Sequence, residues 1–184
     1  MVLVSILGDF HSSILPIFFN FKEQLTKHVL VYDDAKKDIS NARSIQKGIH
    51  KFQKKENHCF ESIEYKLDED SFEALQKSAD FILSLSTNPT EIYINTTDGY
   101  STLTTILHHY LFEHGVNFIA YDMYDNQYNL LSKNGLISHC SVKKIDIKNH
   151  FLLKGFTTES STLKDFAKLH KKAIKQIFEI YSDA

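Results

Sequence analysis

The apolar positions of this chain follow two rhythms in turn. Met1–Leu7 is a continuous apolar, β-branched run ending at Gly8, the pattern of a strand buried on both faces of a parallel sheet. A helix follows over roughly Ile14–Lys27, with Ser12 or Ser13 as its cap and Pro16 tolerated in its first turn. His28–Tyr32 is a second apolar run, closed by Asp33-Asp34, and Asp38 or Ser40 opens a polar helix to about Gln53. Cys59–Tyr65 alternates as a strand. Asp70 or Ser71 then caps a helix to about Leu85, with Phe72, Leu75, Ala79, Ile82 and Leu83 on one face. After the Asn88-Pro89 turn come a strand at Glu91–Asn95 and a helix at Gly99–His114. That helix turns Leu103, Ile106, Leu107 and Tyr110 inward and ends at Gly115. A fifth strand spans Val116–Tyr121.

Five strands alternating with four helices predict right-handed βαβ crossovers and one mostly parallel α/β sheet with helices on both faces. After Asp122 the rhythm changes. Asn126–Leu131 and Val142–Ile147 read as a hairpin turning near Asn134-Gly135, and Thr162 caps a last amphipathic helix, Leu163–Tyr181. The expected division is a sheet domain over 1–150 and a C-terminal extension over 151–184.

Composition narrows the classes. With 184 residues, 42 % hydrophobic and 24 % charged, the chain is long enough to bury a core without metals or disulfides. A net charge of −2 with a single arginine, Arg43, argues against binding duplex nucleic acid. Cys59 and Cys140 form no CxxC and read as reduced, buried thiols, with no metal site. Met1–Leu7 is too short for a signal peptide or a membrane span. The expected address is the cytoplasm, with a membrane reached only through a segment outside these residues.

Candidate chemistry gathers in two strand-to-helix loops. One is Gly8, Asp9, Phe10, His11, Ser12 and Ser13. The other is Asn95, Thr96, Thr97, Asp98, Gly99, Tyr100, Ser101 and Thr102. In an open parallel sheet, ligands bind beyond the carboxyl ends of the strands where the order reverses. Backbone N–H groups and the helix dipole there suit phosphate, and hydroxyls add hydrogen bonds. The competing reading makes Ser12, Ser13, Ser101 and Thr102 helix caps and nothing more. Neither loop matches GxGxxG or GxxxxGK[ST]. His11 reads as a binding or surface residue sooner than an acid or base. In His108-His109 one ring faces out and the other packs, without a third metal ligand. Asp68-Glu69-Asp70 reads as a charged loop with a cap. Lys168, Lys171, Lys172 and Lys175 read as the solvated face of the last helix.

Three stretches resemble the CARF domain, the cyclic-oligoadenylate sensor of type III CRISPR defence, and most of all its branch fused to restriction-type nucleases. VSILGDFHSSILPIF is similar to that branch's first strand and ligand loop. YINTTDGYSTLTTILHHYLFEHGVNFIAYD resembles the fourth-strand motif, typically Asn-x-Thr-Gly-Gly-Thr-Lys, with the helix and strand after it. STLKDFAKLH resembles the helix following the core. The resemblance implies a Rossmann-like homodimer that binds a ring of adenylates, with tetra-adenylate the expected ring, across its two-fold axis. Both loops would line that ring from each subunit, with Phe10 or Tyr100 stacking on adenine. No cofactor is implied. Asp98 stands where the family often has glycine, and Ser101 where it often has lysine. Cleavage of the ring needs stabilised developing charge, and the loops offer no cation. Sensing is therefore favoured over catalysis. The alternatives are a metal-independent ring nuclease using His11, Ser12 and Ser101, and a generic nucleotide- or anion-binding Rossmann-like domain or winged-helix regulator fragment. Residues 151–184 carry no PD-(D/E)xK-like pattern. The domain is expected either to stand alone or to continue into an effector, a nuclease or a membrane-spanning helix.

Overall fold

A computed structural model of the chain describes residues 1–8, 13–33, 36–67, 72–98, 101–122, 124–135 and 137–145, with Asn149 and Leu153. Its elements are β1 (Val2–Ile6), α1 (Ile14–Phe21), β2 (Lys27–Tyr32), α2 (Lys36–Glu56), β3 (Glu61–Lys66) and α3 (Phe72–Ser84). They continue as β4 (Ile92–Asn95), α4 (Ser101–Phe112), β5 (Asn117–Asp122), β6 (Gln127–Leu131) and β7 (Ile137–Ser141). The strands form one sheet in the order β3-β2-β1-β4-β5-β6-β7. The pairs among β1 to β5 are parallel, and the β5–β6 and β6–β7 pairs are antiparallel. This is the α/β architecture expected, a mostly parallel, Rossmann-like sheet.

The all-buried pattern of β1 shows why its apolar run has no alternation: it is covered on both faces. On one face Leu3, Leu7 and Leu30 pack with Phe18, Ile49 and Phe52 of α1 and α2. On the other, Val4, Val29 and Ile94 pack with Leu75, Ile82, Leu107 and Leu111 of α3 and α4. The chain order reverses between β1 and β4. This switch point puts the β1–α1 and β4–α4 connections side by side.

Several expectations are corrected. The first helix stops at Phe21 instead of reaching Lys27. Leu25 is drawn into the core and Thr26 donates its N–H to Met1 O at 2.9 Å, which turns the chain into β2. The last strand lies at Ile137–Ser141, before the apolar alternation of 142–147. Gly135, at φ +69°, closes the turn and fixes the register at Leu131↔Ile137. Turn geometry therefore outweighs hydrophobic pattern here. Cys59 is exposed, because it lies in the connection before β3 starts. Phe72 stands 60 % exposed at the start of α3, edging Tyr110 at 5.7 Å between ring centres, while Leu75, Ala79 and Ile82 are buried as expected. Gly115, at φ +89°, ends α4 in the left-handed conformation expected of it. The expected helix at Leu163–Tyr181, its lysines and the Asp68–Ser71 loop lie outside the described residues, as does Asp34.

Candidate functional site

At the switch point the two loops are joined. Ser13 donates its backbone N–H to Asp98 Oδ2 at 2.9 Å, and its hydroxyl donates to the same oxygen. Asn95 Nδ2 donates to Ser13 Oγ at 3.1 Å. The Asn95 Oδ1 atom accepts from Thr97 N at 3.3 Å and from Thr97 Oγ1 at 2.8 Å. Thr97 Oγ1 accepts in turn from Tyr121 N, at 2.7 Å, on β5. Thr96 donates both its N–H, at 3.0 Å, and its hydroxyl, at 3.2 Å, to Ile119 O. One chain of hydrogen bonds therefore runs from the start of α1, through the β4–α4 loop, to the end of β5.

This arrangement changes the role of Ser13. It holds the N-cap position of α1, but its backbone is helical, at φ −84° and ψ −22°, and its side chain makes no capping bond. Capping hydroxyls normally sit on extended backbone, which points them back at the next turn. Here the acceptor comes from Asp98, 85 residues away. Its carboxylate sits at the positive end of the α1 dipole, a stabilising place for negative charge. Asp98, the carboxylate in the β4–α4 loop, thus has a structural use. Asn95 is buried, with both ends of its amide engaged, so it holds the loops in position.

Gly8 is buried at the end of β1. Ser101 and Thr102 open α4, with side chains outside the described set. Asp9, Phe10, His11, Ser12, Gly99 and Tyr100 lie outside the described residues altogether. Neither loop carries a lysine or arginine. Among the described residues no group of three or more His, Cys, Asp or Glu side chains is placed to hold a metal ion. His109 is exposed, whereas His108 packs on Phe112 and Phe118. Its pKa is pushed down by burial and then by His109.

Beside the loops is a feature that the sequence did not single out. A groove of about 470 Å³ is lined by Ala120, Tyr121, Asp122, Tyr124 and Asn129. Burial and the Asp122 carboxylate hold the Tyr121 phenol above its ordinary pKa, and the phenol donates to Asn126 Oδ1 at 3.0 Å. The only sequence signal was the aromatic and acidic stretch Tyr121–Asp125, read simply as the end of the parallel pattern.

The fold and the switch-point site define a Rossmann-like α/β protein with its candidate ligand edge at β1 and β4. Solved structures share this fold, among them the following two. The chain is similar to the structure of Can2 from Sulfobacillus thermosulfidooxidans in complex with cyclic tetra-adenylate, with a TM-score of 0.61 and 17 % identity over 95 % of this chain and 47 % of that one. It is also similar to protein VC1899 from Vibrio cholerae, with a TM-score of 0.63 and 11 % identity over 83 % of this chain and 38 % of that one. The chain thus spans less than half the length of either. The likeness is one of fold, a Rossmann-like α/β sheet. No family model matches the chain, and no curated protein matches it. No described helix is long and apolar enough to cross a membrane.

Proposed function

We propose that this chain is a sensor domain that binds cyclic oligoadenylate, cyclic tetra-adenylate in particular, as a homodimer, and relays binding to an effector outside these residues. The observation that carries the proposal is the Ser13–Asp98–Asn95 junction. It merges two hydroxyl-rich loops into one rim at the switch point of a sheet. A protein of the same fold has been solved with cyclic tetra-adenylate bound. On this reading Gly8 to Ser13 and Asn95 to Thr102 line the ring from both subunits, with residues 1–150 as the sensing domain and 151–184 as its connector. The branch fused to restriction-type nucleases remains the proposed kinship.

Sensing is preferred to cleavage because the two loops contain no lysine or arginine to stabilise charge developing on a phosphate. Titration calorimetry with cyclic tetra-adenylate tests the proposal. Binding with one ring per dimer, and a ring still intact by chromatography after long incubation, is the expected result. No binding to any cyclic oligoadenylate sinks the proposal. A cut ring whose cutting depends on His11 replaces it with the ring-nuclease reading.

A further inference from the structure

The sheet face beside α4 is not wholly covered by the described residues. Ala120, Asn129 and His139 form one row across β5, β6 and β7, and Ala120 and His139 are exposed. Ala120 is the floor of the groove, with too small a side chain to fill it. Tyr124 is one wall, 93 % exposed and with no side-chain hydrogen bond among the described residues. An aromatic ring held out at the edge of a groove is a stacking platform that accepts any base.

Two polar groups in the lining have a spare half each. Asp122 Oδ1 accepts from Tyr124 N at 2.9 Å and from Asp125 N at 3.4 Å, which fixes the turn. Its second oxygen has no partner among the described residues. Asn129 Oδ1 is bound to His139 Nδ1, and its NH2 group has no partner among the described residues. A carboxylate acceptor beside an amide donor matches the edge of a base that carries an exocyclic amino group next to a ring nitrogen. Adenine is such a base. A carboxylate repels phosphate but suits an amino edge. The groove volume is within the range usual for small-ligand sites. The groove also abuts the loop rim, because Tyr121 contributes both to its lining and, through its backbone N–H, to the bond with Thr97.

We propose that this groove is an adenine subsite, with Tyr124 stacking on the base and Asp122 and Asn129 reading its amino edge. It rests on the cyclic-oligoadenylate reading of the adjoining rim. The experiment is calorimetry of the wild-type chain, Tyr124→Ala and Asn129→Ala against cyclic tetra-adenylate and its tetra-inosinate analogue, which has an oxo group in place of the amino group. The wild type should prefer the adenylate ring by about tenfold or more, Tyr124→Ala should weaken both rings about tenfold, and Asn129→Ala should reduce the preference to the part that the Asp122 carboxylate retains. Circular dichroism and melting temperature verify that the variants fold. If the wild type binds the ring and neither variant changes its affinity or preference, the subsite is overturned and the sensor reading stands. If the wild type binds no ring, the sensor reading falls and the groove is judged with adenosine alone. Amide shifts confined to residues 120–129 then support the subsite, and their absence overturns it.

Discussion

Ser13 gives both its backbone N–H and its hydroxyl to one oxygen of Asp98. Asp98→Ala removes the acceptor and leaves two partly buried donors unmet. The expected loss is about 1–3 kcal/mol, a drop of several degrees in melting temperature. Asp98→Asn keeps an acceptor oxygen and should recover most of that loss. A double-mutant cycle with Ser13→Ala by chemical denaturation measures the coupling. Additive effects would mean the bond contributes nothing.

His28 is fully buried on β2, edge-on to Phe18, with Nε2 at 3.1 Å from Ser5 Oγ and Nδ1 without a partner among the described residues. Burial lowers its pKa from 6.5 to about 3. The unfolded chain therefore takes up the proton first. The stability His28 contributes is complete above pH 6.5 and is lost as pH falls from there toward about 3. An upper bound on the loss is about 5 kcal/mol. Urea denaturation at stepped pH should show this slope, and His28→Gln should flatten it whatever the variant's own stability. An unchanged slope would assign the acid sensitivity to other groups.

Gly48 lies in α2, where a Cβ would stand 1.8 Å from the carbonyl oxygen of Leu153. Alanine normally improves a helix by up to about 1 kcal/mol. Here the contact is backbone, and overpacking should reverse the sign, lowering stability by about 1–3 kcal/mol. A melting curve decides. A higher midpoint would mean that Leu153 does not sit against this helix.

The loops' lack of lysine and arginine has a consequence for ligand binding. If the chain binds cyclic tetra-adenylate as proposed, few counterions would be displaced and the affinity should depend weakly on salt, with a log–log slope smaller in magnitude than about one. Calorimetry between low and moderate salt measures it. A steep slope would place cations from elsewhere in the protein against the phosphates.

The parallel core was readable because burial on both faces leaves a direct imprint: Val2–Ile6 and His28–Tyr32 are apolar runs without alternation. Gly115 and Gly135 were readable because left-handed backbone selects glycine. The position of β7 was not, since Ile137, His139 and Ser141 face outward and leave no apolar stripe to find. Both candidate loops were visible as polar breaks after strands. Their junction was not. Ser13 looks like any helix cap, and Asp98 like a misplaced charge, until the fold brings positions 85 residues apart together. Pairings at that separation have no local signature.

Thr97 is where the sheet hands over to the loop. Its hydroxyl has one proton, given to Asn95, and with its oxygen it takes the N–H of Tyr121. Asn95 in turn grips Ser13 at the head of α1. A displacement at any of these points is passed to the others, because each atom in the series is already occupied. The rim therefore works mechanically as a single lever instead of two fingers. A push on Ser13 would reach Tyr121 on β5 through these bonds.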